Sequence, residues 1–218
     1  MSPANKIITP EPATNEQLGL AADHEDGVLV VGATRIDDAG ANAGTAYAFL
    51  RQPDGTWLFD QEIRPASLAG GESYGTTIEV ASNDVGAHLV AIGAPEQGDG
   101  AVYLWSYNGS VWSLLGSALT GPVDASYFGG ALDVEHSTGD TFTVVIGAPD
   151  DGNSVDGGPG VVTLLTVDAT AGTVDPLATI DGTDSSVSTT EPLGTSHAGF
   201  GAIVSLSGDT LAVGAYLN

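Results

Sequence analysis

Oxygen-bearing side chains are the residues of this chain best suited to chemistry. The densest run is Asp150-Asp151-Gly152-Asn153-Ser154-Val155-Asp156-Gly157. Asp150, Asp151, Asn153 and Asp156 could together offer oxygens to calcium, which takes roughly six to eight of them. A solvated acidic loop explains the same residues equally well. The adjacent acids Asp37-Asp38 and Asp150-Asp151 could in principle serve as a glycosidase carboxylate pair. With 28 acidic residues in 218, however, neighbouring carboxylates are expected by chance. His24, His88, His136 and His197 are far apart, without the His-x-His or Glu-x-x-His spacing of zinc sites. The chain has no cysteine, which excludes disulfides, thiolate metal centres and a cysteine nucleophile. No catalytic set can be assembled from these residues, and calcium is the one cofactor they leave open.

Charge narrows the partners. Four basic residues, Lys6, Arg35, Arg51 and Arg64, stand against 28 acidic ones, a formal net charge of −24. Nucleic acids and anionic membranes are bound through Lys and Arg, so neither is an expected partner. No apolar run approaches the ~18 residues that would span a bilayer, so membrane insertion is not expected. A surface of one sign favours solubility, and salt screens its self-repulsion. The opening MSPANKIITPEPATNEQ lacks the apolar centre of a signal peptide. An export signal would have to lie elsewhere, or the chain is a fragment.

The elements that must position these residues repeat along the chain. Leu18-Gly19, Tyr74-Gly75, Phe128-Gly129 and Phe200-Gly201 recur with their glycines 56, 54 and 72 residues apart. Each pair leads into an apolar segment, a polar turn and a second apolar segment. These second segments end in Gly32-Ala33-Thr34, Gly93-Ala94-Pro95, Gly147-Ala148-Pro149 and Gly214-Ala215-Tyr216. A period near 50–60 residues fits one four-stranded propeller blade.

In the second unit, β-branched and apolar runs bounded by turn residues predict strands at about 75–81, 87–93, 100–107 and 110–119. Asn108-Gly109 should close the last hairpin, as Asp54-Gly55 does in the first unit. The nearly continuous apolar runs 28–31, 89–92 and 143–146 suit strands covered on both faces.

The expected class is all-β, an open arc of four-stranded antiparallel blades. Residues 1–17 supply the last strand of a preceding blade, near Ile7-Ile8. Units follow at 18–73, 74–127 and 128–198, and 199–218 begins a fourth, for some 15 strands in all. The second strand of that last unit should present an unpaired edge, open to the remaining blades of a parent chain or to self-association.

These residues resemble the FG-GAP repeat family of bacterial surface proteins and integrin α-subunit propellers, in the branch with a Trp-bearing last strand and no calcium loop. The resemblance spans nearly the whole chain and is fullest at Phe128-Gly129 with Gly147-Ala148-Pro149. Departures are Leu18 and Tyr74 in place of Phe, Thr34 and Tyr216 in place of Pro, a third unit without Trp, and the long 181–197 connection. Integrin-type repeats place Asp-x-Asp-x-Asp-Gly between the first two strands. The corresponding Asp23-His24-Glu25-Asp26-Gly27, Asn83-Asp84-Val85-Gly86, His136-Ser137-Thr138-Gly139-Asp140 and Ser207-Gly208-Asp209 do not keep that pattern.

The resemblance implies a non-enzymatic extracellular or cell-surface scaffold for adhesion or protein interaction, with a protein or glycan ligand. Alternatives are a carbohydrate-binding or carbohydrate-active propeller, and a purely structural module of a larger surface protein. Asp54-Gly55-Thr56-Trp57 approaches the Asp box of sialidase propellers but lacks its spacing, and three arginines cannot supply their arginine cluster. The motif glycines are expected at tight turns or close approaches, with Tyr74, Phe128 and Phe200 as anchors between blades. Trp57 and Trp112 are expected to pack within outer strands.

Overall fold

A computed structural model describes residues 6–9, 17–37, 40–122, 127–149, 160–182 and 199–215. The first sheet is β1 (Leu18–Glu25), β2 (Val28–Ala33), β3 (Thr45–Arg51) and β4 (Trp57–Ile63), paired antiparallel in that order. The second holds β5 (Thr77–Ser82), β6 (His88–Ala94), β7 (Ala101–Tyr107) and β8 (Trp112–Leu114), with β9 (Leu119–Thr120) also paired to β7. The third is β10 (Ala131–Thr138), β11 (Thr141–Ala148), β12 (Val161–Asp168) and β13 (Thr173–Asp181). The fourth is the hairpin of β14 (Ile203–Ser207) and β15 (Thr210–Gly214). No helix occurs among the described residues. The protein is an all-β propeller arc of antiparallel meanders, with the first strand of each sheet innermost: β1 lies beside β5, β5 beside β10, and β10 beside β14.

Alternation along the middle strands explains their continuous apolar runs. In β6, Val90 and Ile92 enter a core shared with the first sheet, whereas Leu89 and Ala91 enter one shared with the third. β7 divides likewise, Tyr103, Trp105 and Tyr107 facing one way and Val102 and Leu104 the other. Both faces of the blade are therefore interior. Tight hairpins join the strands: Asp26 and Gly27 take φ of 42° and 85°, the left-handed pair that a two-residue turn requires.

The motif residues sit at the seams between sheets. Tyr74, Phe128 and Phe200 are buried in the cores joining successive sheets, and Leu18 is half-buried against the far face of the first. Gly44 bridges Tyr74, and Gly100 bridges Phe128, each link crossing from one sheet to the next. Inside each blade the motif closes on itself, with Gly75, Gly129 and Gly201 donating their backbone N–H to the carbonyls of Gly93, Gly147 and Gly214, all at 3.0 Å.

Two details differ from expectation. Residues 6–9 form no strand. Instead Ile7 packs on the first sheet beside Leu29, Val31 and Phe49, and Thr9 is buried, because this face offers an apolar surface that a short extended segment can cover. The outer strand expected at 110–119 is split. Leu115 turns inward to the core between the second and third sheets, Gly116 takes φ of 70°, and pairing resumes at Leu119. Beyond β14, β15 has no further partner strand among the described residues.

Candidate functional site

At the end of the sheets where the inner strands begin, the connecting loops enclose a polar cleft of about 440 Å³. Gln17 and Leu20 enter it from the start of β1, Thr34, Arg35 and Asn42 from the β2–β3 connection, and Gly71, Ser73 and Thr76 from the approach to β5. Glu96 follows β6, and Tyr127 precedes β10.

Backbone geometry sets this cleft apart. Five described non-glycine residues have positive φ: Gln17 (51°), Asp26 (42°), Asn42 (54°), Ser73 (51°) and Tyr127 (64°). All but Asp26 line the cleft. Gln17, Ser73 and Tyr127 each immediately precede a motif pair, and Gly199, at the same place in the fourth repeat, has φ of 82°. The repeat therefore requires a left-handed residue there, for which glycine is the least strained choice.

Hydrogen bonds hold these side chains in place. Thr34 Oγ1 donates to Gln17 Oε1 at 3.0 Å, and Ser73 Oγ donates to Glu96 Oε2 at 2.6 Å. Asp37 Oδ1 accepts the Asn42 N–H at 2.7 Å, so the Asp37 carboxylate fixes this loop, while Asp38 lies outside the described residues. Arg35 is exposed and forms no ion pair among the described residues, where Arg64 pairs with Glu62.

A second group lines the inner strands. Asp23, Glu79 and Asp133 each stand four residues after a motif glycine, and Ser205 takes that place in the fourth repeat. Asp23 accepts the backbone N–H of Val80 at 2.8 Å, and Asp133 that of Leu206 at 2.5 Å. Two residues further on, Glu25 accepts from Ser82 N–H at 2.7 Å and Glu135 from Gly208 N–H at 2.8 Å. These carboxylates satisfy backbone donors of the neighbouring blade that would otherwise lack a strand partner.

Glu79 differs. It accepts no hydrogen bond among the described residues, and burial first, then the charges of Asp23 and Asp133, push its pKa up to about 8. It therefore carries its proton at neutral pH, the state of a general acid.

The other sequence candidates are placed differently. Asp150, Asp151, Asn153 and Asp156 lie outside the described residues, as does His197. Among the described residues, no group of three or more His, Cys, Asp or Glu is arranged to hold a metal ion. The turns between first and second strands are instead tied to one another. Ser82 Oγ donates to Asp26 at 2.7 Å, and Asn83 Nδ2 donates to Asp140 Oδ1 at 2.8 Å.

His88 is buried, with Nε2 3.2 Å from the Glu25 carbonyl, and burial lowers its pKa. Asp54 accepts from both Thr56 N–H and Oγ1, a local turn whose hydrogen bonds lower its pKa. Trp112 stacks on Tyr107 and donates its indole N–H to Asp60 of the preceding sheet at 2.8 Å. Trp57 is half-buried and borders a shallow recess of about 330 Å³ with His24, Glu25, Asp26 and Arg51.

Sequence reasoning did not single out the cleft residues Gln17, Arg35, Ser73 and Tyr127, nor the inner acids Glu79 and Asp133, and it took Asp23 only as part of a turn that does not keep the calcium-loop pattern. For the acids a signal existed in their common offset from the motif glycine. For Arg35 none existed, because its loop has no counterpart of equal length in the other repeats.

No protein-family model and no curated protein matches the chain. Among solved structures it resembles a Bombyx mori GH32 beta-fructofuranosidase at 15% identity and a TM-score of 0.42, over 77% of this chain and 37% of that one. It also resembles an exo-1,5-alpha-L-arabinanase from a bovine ruminal metagenomic library at 9% identity and a TM-score of 0.37, over 72% of this chain and 58% of the other. The chain thus spans less than two thirds of either structure, and at these scores neither likeness bears on what it binds.

Proposed function

We propose that this chain is part of an extracellular or cell-surface β-propeller of the FG-GAP type that works by binding, with the loop-end cleft presented to a protein or glycan ligand. The supporting observation is the division of labour among its polar groups. Asp23, Glu25, Asp133 and Glu135 are committed to backbone donors of neighbouring blades, which makes them structural. The loop-end cleft instead gathers hydroxyl, amide and charged groups in a fixed backbone frame. Family membership draws support from the seam positions of the repeated glycines and aromatics.

A second reading is a carbohydrate-active propeller. It is favoured by Glu79, a protonated carboxyl near the carboxylates of Asp23 and Asp133, since glycoside hydrolysis uses one carboxyl as acid and another as base or nucleophile. A binding array of glycans and proteins, run beside a glycoside-hydrolysis screen, separates the two. Binding without turnover is expected. Turnover that disappears in Glu79→Gln would replace the first reading with the second.

A further inference from the structure

The loop-end cleft combines three properties that together identify a ligand class. The first is the set of left-handed side chains. Gln17, Ser73 and Tyr127 occupy a backbone position that glycine fills in the fourth repeat, and Tyr127 is a bulky residue with φ of 64°. Non-glycine residues held in this region cost stability and gather at ligand sites. Three such residues converge on one cleft from two successive blade boundaries and the start of β1.

The second property is Arg35. In a chain with seven carboxylates for every cation, an arginine would be expected to find an acidic partner, yet Arg35 forms no ion pair among the described residues. Its guanidinium is a planar donor fork suited to a carboxylate. The third is the lining. Apart from Leu20 and the Tyr127 ring, the groups facing the cleft are amides, hydroxyls, charged groups and glycine. A peptide that docks by its side chains needs apolar pockets, which such a lining lacks. A sugar brings vicinal hydroxyls for the amides and a C–H face for an aromatic ring.

We propose that this cleft binds a short acidic saccharide, with a uronate carboxylate on Arg35, sugar hydroxyls on Gln17, Asn42 and Ser73, and the ring of one sugar against Tyr127. The proposal rests on the reading of this propeller as a binding module and names its ligand. A short oligomer is specified because the net charge of −24 repels long polyanions.

The test is calorimetric titration near 0.15 M salt, where charges beyond ~8 Å are screened. The probes are oligogalacturonate, an oligosaccharide containing glucuronate, and a neutral galacto-oligosaccharide of equal length. The protein is the whole chain and its Arg35→Gln, Ser73→Gly and Tyr127→Gly variants. At least one uronate oligomer should bind about tenfold or more tighter than the neutral sugar, and Arg35→Gln should erase that preference. Tyr127→Gly and Ser73→Gly should weaken binding, and thermal melts check that both variants stay folded at the titration temperature, since Ser73→Gly also removes the hydrogen bond to Glu96.

The proposal is overturned if no uronate oligomer binds the parent, if Arg35→Gln keeps the preference, or if the folded glycine variants bind as the parent does. Occupation of the cleft by an acidic peptide would overturn the ligand class and leave the binding reading standing. Cleavage of a bound saccharide would overturn the binding reading, and the Arg35→Gln result would still decide the ligand.

Discussion

Gly32 lies against the backbone of Gly75 in the next blade, so close that a Cβ on Gly32 would stand 2.1 Å from the Gly75 carbonyl oxygen. The same contact recurs between Gly93 and Gly129 at 2.4 Å and between Gly147 and Gly201 at 2.1 Å. The first member of each pair is the glycine of a Gly-Ala ending, and the second belongs to the aromatic-Gly pair that opens the next repeat. The two halves of the repeat signature are thus one contact shared between adjacent blades. No side chain can enter it, because a backbone carbonyl of the next blade obstructs each position, and at Gly93 Thr77 Oγ1 stands closer still, at 2.1 Å.

Gly147→Ala should therefore be costly, by about 1–3 kcal/mol or more, the range for overpacking where neighbours cannot yield. Gly214→Ala is the internal control. Its nearest obstruction is Ile203 Cβ at 3.2 Å, with no neighbouring blade's carbonyl among the described atoms. Urea unfolding should rank the two variants in that order. Equal losses would show that the cost arises within each blade and not at the seam.

The carboxylate links between inner strands give a second expectation. Asp133→Ala removes the acceptor of the Leu206 N–H, a charge-assisted bond worth about 1.5–3 kcal/mol. Because β14 belongs to a two-stranded sheet, the loss should appear as faster hydrogen exchange along β14 and β15 before any change in β10–β12. Uniform exchange changes across all four sheets would argue that the sheets open together.

Most of the fold could be read from the residues, because blade packing imposes a pattern on every strand. Strands buried on both faces show as apolar runs such as 89–92, and the β7–β8 hairpin shows as Asn108-Gly109, although Gly109 alone of that pair takes positive φ, at 91°. The split of the second unit's outer strand could not be read. Leu115 suits an outer strand by composition, and only the core between the second and third sheets draws it inward. The segment at Ile7-Ile8 reads as a strand by propensity, yet it packs by side chains without pairing. The cleft was hidden for a different reason. Its residues share no type, and what unites Gln17, Ser73 and Tyr127 is a backbone angle that their identities argue against.

The aromatic anchors supply a third prediction. Phe128 is 2% exposed within the core shared by the second and third sheets, and its N–H donates to the Asp99 carbonyl at 3.0 Å. Phe128→Ala should destabilise the protein by about 3–5 kcal/mol, through lost burial and the cavity left behind. A variant melting within a degree or so of the parent would mean that the seam closes without this ring.

Glu79 gives the last prediction, and its sign follows from proton linkage. In the unfolded chain this carboxyl titrates near 4.5, and in the fold at about 8. Below the lower value both states hold the proton, and Glu79 contributes its full stabilising effect. Between the two values the folded protein retains a proton that the unfolded chain has released, so stability falls as pH rises and levels off above about 8. Asp23 and Asp133 face Glu79 from the flanking blades and oppose its ionisation. Glu79→Gln, which holds the neutral shape at every pH, should therefore unfold at nearly the parent's temperature near pH 5 and at a higher one near pH 9. Buried His88 acts in the opposite sense, since its lowered pKa costs stability as pH falls below about 6.5. Taking the difference between parent and variant removes the His88 contribution from the comparison. Thermal melts from pH 5 to 9 check this directly. Parallel curves for the two proteins would place the Glu79 pKa in the ordinary carboxylate range, and with it would go the physical basis for treating Glu79 as an acid catalyst.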